Sequence, residues 1–193
     1  MKKMILLVCM LTSYVITDRI ICKEESTDIH ITAQDIEIRQ PVKLIETYYH
    51  IPLSEDMQDN IMTIANENDI DRLTILAVIA VESDFDQDAV SESNDYGLMQ
   101  INACNHANLM DKLELADIMD PVDNVKAGSY MLGNLKEKYG SIDMALMAYN
   151  MGENGAKKLW NAGIYETDYT RKVNIAKTEL EGKKYEVITI LED

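Results

Sequence analysis

The sequence predicts an all-α domain within a chain of 193 residues. Leu73–Val81 is an almost unbroken apolar run that is too long for an average strand and rich in helix formers. We therefore predict a buried helix over about 72–84, with Asp71 as its N-cap. A second observation is that capping residues, prolines and glycines divide most of the chain after Pro52 into helix-length segments. The chain is long enough for one domain with a sizeable core and for additional segments outside it.

The first 22 residues are typical of a targeting segment. Met1-Lys2-Lys3 is followed by an apolar run over 4–17, which suits a signal peptide better than a membrane span of roughly twenty residues. No Ala-x-Ala cleavage site follows, so 1–22 is predicted to be either a cleaved signal peptide or a short N-terminal anchor. Ile21 stands where a lipidation motif requires a small residue. We expect export from the cytoplasm, to the cell envelope or beyond it.

Residues 23–53 are predicted to be a linker or N-terminal arm. Within them, 30–39 alternates apolar and polar residues, which fits a short strand or an extended segment. At the other end of the chain, 183–193 is predicted to be a C-terminal tail. Its Val187–Leu191 run also favours a strand, and we predict that it pairs with 31–38 in a two-stranded ribbon.

The domain between these segments, 54–182, is predicted to be a series of helices. Ser54 caps a helix over about 55–67, and the Asp71-capped helix follows. After Asn102 we expect a polar loop through Asn108, and then a short helix or turn that Asp120-Pro121 breaks. The remaining predicted helices are one from Asp123 or Asn124 to Tyr139, one from Ser141 to Gly152, one over 153–161 and one over 168–180.

The composition restricts the kinds of ligand that the protein binds. The formal net charge is -16 and no basic cluster is present, so the sequence argues against nucleic acid binding. Capture by an anionic surface is also disfavoured, and substrate binding must therefore be local. Cys9 would leave with a cleaved signal peptide, Cys22 and Cys104 can pair outside the cell, and the cysteine spacing fits no metal site. We expect Cys104 to be free and buried.

Glu82 is the strongest candidate for chemistry. It falls in the last turn of the predicted buried helix, where the apolar turn behind it and the negative end of the helix dipole disfavour ionisation. Five further carboxylates follow by Asp95, with no Lys or Arg among them. A carboxylic acid that stays partly protonated near neutral pH suits a general acid. The alternative is a helix-end glutamate that is simply exposed to water.

Four motifs follow one another in a recognisable order: Glu82-Ser83, Ala89-Val90-Ser91, Gly97-Leu98-Met99-Gln100 and Ala148-Tyr149-Asn150. In this order they resemble the lytic transglycosylases of the SLT, goose-lysozyme-like family, over about 56–173. The resemblance implies a compact helical, lysozyme-like (α+β) domain with a substrate groove. It also implies an enzyme that acts on peptidoglycan glycan strands without a cofactor or metal. Such enzymes use one glutamate as acid and base, cleave the MurNAc-GlcNAc β-1,4 bond and form 1,6-anhydromuramyl products.

The same resemblance assigns roles to individual residues. Ser83 would face the sugar, and Ser91 would lie near the acid. Met99 and Gln100 would line the subsites. The Tyr149 hydroxyl would bond the Glu82 carboxylate, and Asn150 would support its loop. The chain departs from the family pattern at Ser93–Tyr96, at Asn102–Cys104, and in the late motif Glu166-Thr167-Asp168-Tyr169, which is one residue short.

Several alternatives remain open at this point. A muramidase, which hydrolyses the same bond with water, would need a second carboxylate, and Asp84, Asp86 and Asp95 are all near in sequence. A non-catalytic glycan-binding component is another candidate. Asp84-x-Asp86-x-Asp88 spells part of a calcium loop, but Ala89 replaces the glycine that its turn requires. We expect a monomer, with envelope-spanning machinery as a candidate partner.

Overall fold

The computed structural model describes residues 42–191, and it describes side chains for 44–189. Within these residues the chain is mainly helical, as predicted. The elements in chain order are β1 Val42–Tyr49, α1 Glu55–Glu67, α2 Arg72–Ser83, β2 Asp95–Tyr96, β3 Ile101–Asn102, α3 Ala103–Leu113, α4 Pro121–Tyr139, α5 Ile142–Asn161, α6 Asp168–Glu181 and β4 Lys184–Leu191.

The predicted N-caps of the first two helices are confirmed. The Ser54 side chain accepts from the Met57 N–H, and the Asp71 side chain accepts from the Thr74 N–H. Both bonds satisfy a backbone donor that a helix leaves free in its first turn. Local chemistry therefore determines where α1 and α2 begin.

Two helix starts differ from the prediction. The expected loop after Asn102 is wrong, because the Asn102 side chain accepts from the Cys104 N–H and α3 begins at once. α4 is capped by Asp120, rather than by Asp123 or Asn124, and Pro121 occupies its first turn. Proline is favourable there because the first helical N–H needs no partner within the helix.

Cys104 is exposed, which contradicts the expectation that it is buried.

α5 contains the predicted interruption at Gly152. α5 spans Ile142–Asn161, but Gly152 within it has φ 73° and ψ 156°, which is not a helical conformation, so two helical segments meet there at a kink. A non-glycine residue would be strained in this conformation. The two predicted helices are thus the two halves of one kinked helix.

α2 is the centre of the hydrophobic core. Five consecutive residues, 75–79, have no exposed surface. α6 packs along α2, α1 packs on it as well, and α4 pairs with both α1 and α5. A helix that is apolar all round is stable only when other elements cover every side. The C-terminal turn of α2, which carries Glu82, therefore has a fixed position.

The predicted strand in the C-terminal tail is confirmed, but its partner among the described residues is different. β4 pairs antiparallel with β1, from Val42↔Leu191 to Tyr49↔Lys184. The base of this ribbon is held to α1 by Gln58, whose Nε2 donates to the Tyr49 carbonyl and whose Oε1 accepts from the Tyr49 N–H. The predicted partner, 31–38, lies outside the described residues.

The predicted signal peptide or anchor over 1–22, with Cys9 and Cys22, also lies outside the described residues. Among residues 42–191, no helix combines the length and the apolar character that crossing a bilayer requires.

Candidate active site

Glu82 lies in the last turn of α2, as predicted, and is half-buried. The turn before it contains Val78 and Ile79, which are fully buried. The helix ends at Ser83, and Asp84 follows in the left-handed conformation with φ 51°. The carboxyl group therefore leaves an apolar wall at the point where the helix stops.

The Glu82 carboxyl has a tyrosine partner from α6. The Tyr169 hydroxyl donates to Glu82 Oε1 at 2.6 Å. Burial raises the pKa of Glu82 above its usual 4.5, the Tyr169 hydrogen bond lowers it, and the negative charge of Asp95 raises it, with a net upward shift. The folded protein thus favours the protonated carboxyl, which is the form that a general acid needs.

The expectation that Tyr149 bonds the Glu82 carboxylate is wrong. The Tyr149 hydroxyl donates instead to the Met99 carbonyl at 2.9 Å. Burial raises the pKa of Tyr149, and the charges of Glu82 and Asp95 raise it further, so the phenol lies within their electrostatic reach. Tyr169 takes the predicted contact because α6, not α5, brings a hydroxyl to the carboxyl. The signal for Tyr169 was present in the sequence, in the shortened motif Glu166–Tyr169.

A short hairpin faces this cluster. β2 and β3 pair antiparallel through Asp95↔Asn102 and Tyr96↔Ile101. Gly97 in its turn has φ 72°, and a Cβ there would overlap the side-chain amide of Asn124. Only glycine fits this position, because the conformation and the close approach both exclude a side chain.

Asn124 on α4 holds the hairpin turn in place. It is fully buried; its Oδ1 accepts from the Met99 N–H at 2.8 Å, and its Nδ2 donates to the Tyr96 carbonyl at 2.8 Å and to the Ile118 carbonyl at 3.0 Å. A buried amide that satisfies three backbone groups is costly to replace.

That the turn with Met99 and Gln100 lines the subsites stays a prediction, and it concerns the backbone rather than the Met99 side chain. The side chain is fully buried against Gly128, where a Cβ would lie 2.5 Å from Met99 Sδ. Its N–H and carbonyl are bonded by Asn124 and Tyr149. Gln100 is half-buried, and its Nε2 donates to the Gly97 carbonyl at 2.9 Å and the Ala89 carbonyl at 3.2 Å. The Met99 side chain therefore packs in the core below the turn, and the Gln100 side chain bonds the backbone of the turn.

The two serines also bond protein groups. The Ser83 hydroxyl lies 2.9 Å from the Leu98 carbonyl and 3.2 Å from the Ile79 carbonyl, so it joins α2 to the hairpin, and its predicted contact with the sugar stays a prediction. Ser91 donates to Asp95 Oδ2 at 2.8 Å. Its predicted closeness to the acid stays a prediction, as does the supporting role of Asn150, which is exposed.

Two other features bear on the predictions. One surface depression of about 650 Å³ lies beside Asp69 and Tyr130, and another of about 300 Å³ lies beside Phe85 and Lys172. Glu82 lines neither of them. The groove along Glu82 stays a prediction. Among residues 42–191 no three His, Cys, Asp or Glu side chains are grouped as metal ligands.

Residues 59–171 match the family model described as the transglycosylase SLT domain, which is more than half of the chain. The chain belongs to the SLT domain family. The predicted family is therefore confirmed.

Solved lytic transglycosylases share the fold of this SLT domain. An inactive mutant of lytic transglycosylase Slt from Pseudomonas aeruginosa has 19% identity and a TM-score of 0.57, covering 69% of this chain and 25% of that one. The 70-kDa soluble lytic transglycosylase from Escherichia coli has 18% identity and a TM-score of 0.58, covering 68% and 25%. The complex of the 70-kDa soluble lytic transglycosylase with bulgecin A has 18% identity and a TM-score of 0.58, and the match covers 68% of this chain and 24% of that one.

These comparisons confirm the lysozyme-like fold class. The chain spans about a quarter of the length of the solved structures that it matches. The matched SLT range includes Glu82, Tyr149 and Tyr169 and leaves out both strands of the β1–β4 ribbon. The candidate active site thus lies wholly within the SLT domain.

Proposed function

We propose that this SLT domain is a peptidoglycan lytic transglycosylase in which Glu82 is the only acid and base. The observation that carries the proposal is the state of the Glu82 carboxyl. It is half-buried at the end of an apolar helix, it is bonded by Tyr169 at 2.6 Å, and its pKa is raised above the usual value. A surface glutamate without a chemical role would not need this environment.

Glu82 alone can carry the proton through the whole cleavage reaction, first as acid and then as base. Glu82 protonates the oxygen that links MurNAc to the leaving GlcNAc, and the β-1,4 bond breaks with its electron pair moving to that oxygen. The muramic acid C6 hydroxyl then attacks C1 of the same sugar, and the Glu82 carboxylate takes the hydroxyl proton. The product is a 1,6-anhydromuramyl end, and the acid is regenerated without water or a cofactor. The intramolecular attack gains its rate from proximity.

The two tyrosines support this cycle in different ways. Tyr169 bonds the carboxyl and therefore fixes the direction in which its proton is offered. Tyr149 bonds the Met99 carbonyl and so fixes the hairpin turn that faces the acid. Preorganised groups of this kind avoid the cost of reorientation during the reaction.

The substrate determines where the protein acts. Solved neighbours of this SLT domain are lytic transglycosylases, and one of them binds bulgecin A. We propose peptidoglycan glycan strands as the ligand here and the cell envelope or its outside as the location. A monomer, with envelope-spanning machinery as a candidate partner, remains our expectation.

A muramidase is the second candidate, and one observation favours it. The charge of Asp95 acts on Glu82, so a second carboxylate lies within electrostatic reach of the acid. Retaining and inverting hydrolases both use such a pair.

Mass spectrometry of digested peptidoglycan decides between the two enzymes. We expect 1,6-anhydromuramyl products, whereas reducing ends would establish hydrolysis. Glu82→Gln should abolish digestion, since the amide offers no acidic proton. Glu92→Gln is the matched control, because Glu92 is an exposed glutamate ten residues further along, and it should digest normally. Digestion by Glu82→Gln at the unmutated rate would mean that Glu82 is not the acid, whereas glycan binding without any digestion by the unmutated protein would support a non-catalytic glycan-binding protein.

A further inference from the structure

α6 is fastened to α2 at a second place, far from Glu82. Lys177 Nζ donates to Thr74 Oγ1 at 2.8 Å, and it lies 3.3 Å from Asp71 Oδ2. Thr74 is buried, and its hydroxyl donates in turn to Asp71 Oδ2 at 3.2 Å. The ion pair with the exposed Asp71 adds little stability by itself. The bond to the buried hydroxyl, by contrast, ties Lys177 to one point in the first turn of α2.

The two polar contacts between α2 and α6 share one register. Glu82 lies eight residues after Thr74 on α2, and Tyr169 lies eight residues before Lys177 on α6. The two helices are therefore antiparallel, and the contacts Thr74–Lys177 and Glu82–Tyr169 are in step. Eight residues of helix separate them by about 12 Å along the axis.

Apolar packing alone specifies this register less sharply. Val78 and Val173, midway between the two contacts, are fully buried in the same core, but apolar burial is not directional. An O–H···O hydrogen bond holds only between about 2.5 and 3.0 Å. An axial slip of α6 by one residue, about 1.5 Å, exceeds that range. Such a slip would break the bond of Tyr169 to Glu82, which is 2.6 Å long.

We propose that Lys177 is a positioning residue, which keeps the Tyr169 hydroxyl at Glu82 by locking α6 in register against α2. The proposal rests on the proposed function of Glu82. The SLT match ends at residue 171, so the match gives Lys177 no role. Because Lys177 lies two helical turns from Tyr169, its effect on the acid passes through Tyr169.

The test is a double-mutant cycle with Lys177→Met and Tyr169→Phe, in which kcat is measured against pH on purified peptidoglycan. Methionine keeps an unbranched side chain and removes the donor. We expect Lys177→Met to lower kcat about threefold to tenfold, as for coupled residues of one bonded network. The alkaline limb of the profile, where kcat falls as Glu82 loses its proton, should move to higher pH, because the Tyr169 bond that lowers its pKa is weakened.

The cycle separates this effect from the charge of Lys177. The titratable groups around the two contacts are Tyr169, Tyr149 and Asp95 for Glu82, and Asp71 for Lys177. Only Tyr169 differs between the two backgrounds of the cycle. In the Tyr169→Phe background, Lys177→Met should change neither kcat nor the limb. A limb shift of equal size in both backgrounds would overturn the proposal, because Lys177 would then act by its charge alone.

Thr74→Val tests the same contact without a change of charge. Valine keeps the branched shape of the buried side chain and removes the acceptor of the Lys177 bond. It should reproduce the limb shift of Lys177→Met, and an unmutated limb would contradict the proposal. Lys172→Met is the matched control, since Lys172 is an exposed lysine of the same helix, one turn from Tyr169. It should leave kcat and the limb unchanged.

Thermal unfolding of each variant separates position from stability. If Lys177→Met lowers the unfolding temperature but leaves kcat and the limb unchanged, Lys177 is merely structural and the inference fails. The proposed function stands in that case, provided that Glu82→Gln is inactive. If Glu82→Gln digests peptidoglycan at the unmutated rate, the proposed function itself fails.

Discussion

The protonation of Glu82 is decided by single groups around it. Burial and the charge of Asp95 raise its pKa, while the hydrogen bond from Tyr169 lowers it, and the net shift is upward. The folded state therefore binds this proton more tightly than the unfolded chain does. Any stability gained from it is complete below the unfolded pKa and is lost as the pH rises through the folded pKa. Acid catalysis should be lost in the same direction.

Tyr169→Phe tests the tyrosine that bonds the Glu82 carboxyl. The phenylalanine keeps the ring and removes the donor to Glu82 Oε1. A hydrogen bond to a charged group contributes about 1.5–3 kcal/mol, so we expect kcat to fall by roughly tenfold to one hundredfold. The alkaline limb of the kcat–pH profile, where kcat falls as Glu82 loses its proton, should move to higher pH. The reason is that the hydrogen bond that lowers the pKa of Glu82 is lost.

Tyr165→Phe is the control for this prediction, since Tyr165 is exposed on the loop just before α6. It should leave kcat and the limb unchanged. Tyr149→Phe should weaken the hairpin turn and move the limb less than Tyr169→Phe does. A larger limb shift in Tyr149→Phe would mean that Tyr149, not Tyr169, bonds the acid.

At the scale of elements, α4 positions the hairpin against the end of α2. Asn124 bonds the backbone of the turn, and the small Gly128 leaves the space that the buried Met99 side chain occupies. α2, the hairpin, α4 and α5 therefore form a bonded set around Glu82. Because this turn is buried, its backbone groups would lose their partners if α4 released it.

Asn124→Ala should destabilise the protein by about 2–4 kcal/mol, because it leaves three buried backbone groups unsatisfied. Thermal and denaturant unfolding measure the loss. Asn134→Ala, on the exposed face of the same helix, should cost less than about 0.5 kcal/mol, since Asn134 bonds only the Tyr130 carbonyl one turn earlier. Equal losses in the two variants would contradict the clamp role of Asn124.

The whole molecule carries a large negative charge, with a formal net value of -16. The ion pairs among the described residues involve partly exposed side chains, such as Lys138–Glu153 and Lys177–Asp71, and such pairs contribute little to stability. Because the net charge is negative, the long-range electrostatic field of the protein repels an anionic glycan. The hydrogen bonds around Glu82 act only at short range. Binding must overcome this repulsion.

Added salt should consequently lower KM. Raising the ionic strength from about 0.01 M to about 0.15 M shortens the screening length from about 30 Å to about 8 Å, so the repulsion of an anionic substrate weakens. We expect KM to fall several-fold while kcat stays constant, because the groups around the acid are too close to be screened. The comparison uses one peptidoglycan preparation at a single pH. A KM that rises with salt would mean that a local cationic patch captures the substrate.

The sequence by itself determined the features that depend on neighbouring residues. Asp71 and Ser54 cap their helices, and Gly152 interrupts its helix, because each effect acts within one turn of backbone. The run from Leu73 to Val81 can be stable only when it is buried. That run alone fixed the position of Glu82 at the end of a core helix.

Only the tertiary structure decided which groups meet Glu82. Tyr149 and Tyr169 lie on different helices, and the packing of α6 against α2 determines that Tyr169 reaches the carboxyl. The burial of Met99 and the pairing of Val42–Tyr49 with Lys184–Leu191 likewise depend on residues far apart in the chain. A local pattern specifies which side chains a helix carries, whereas contacts between distant elements specify which of those side chains touch.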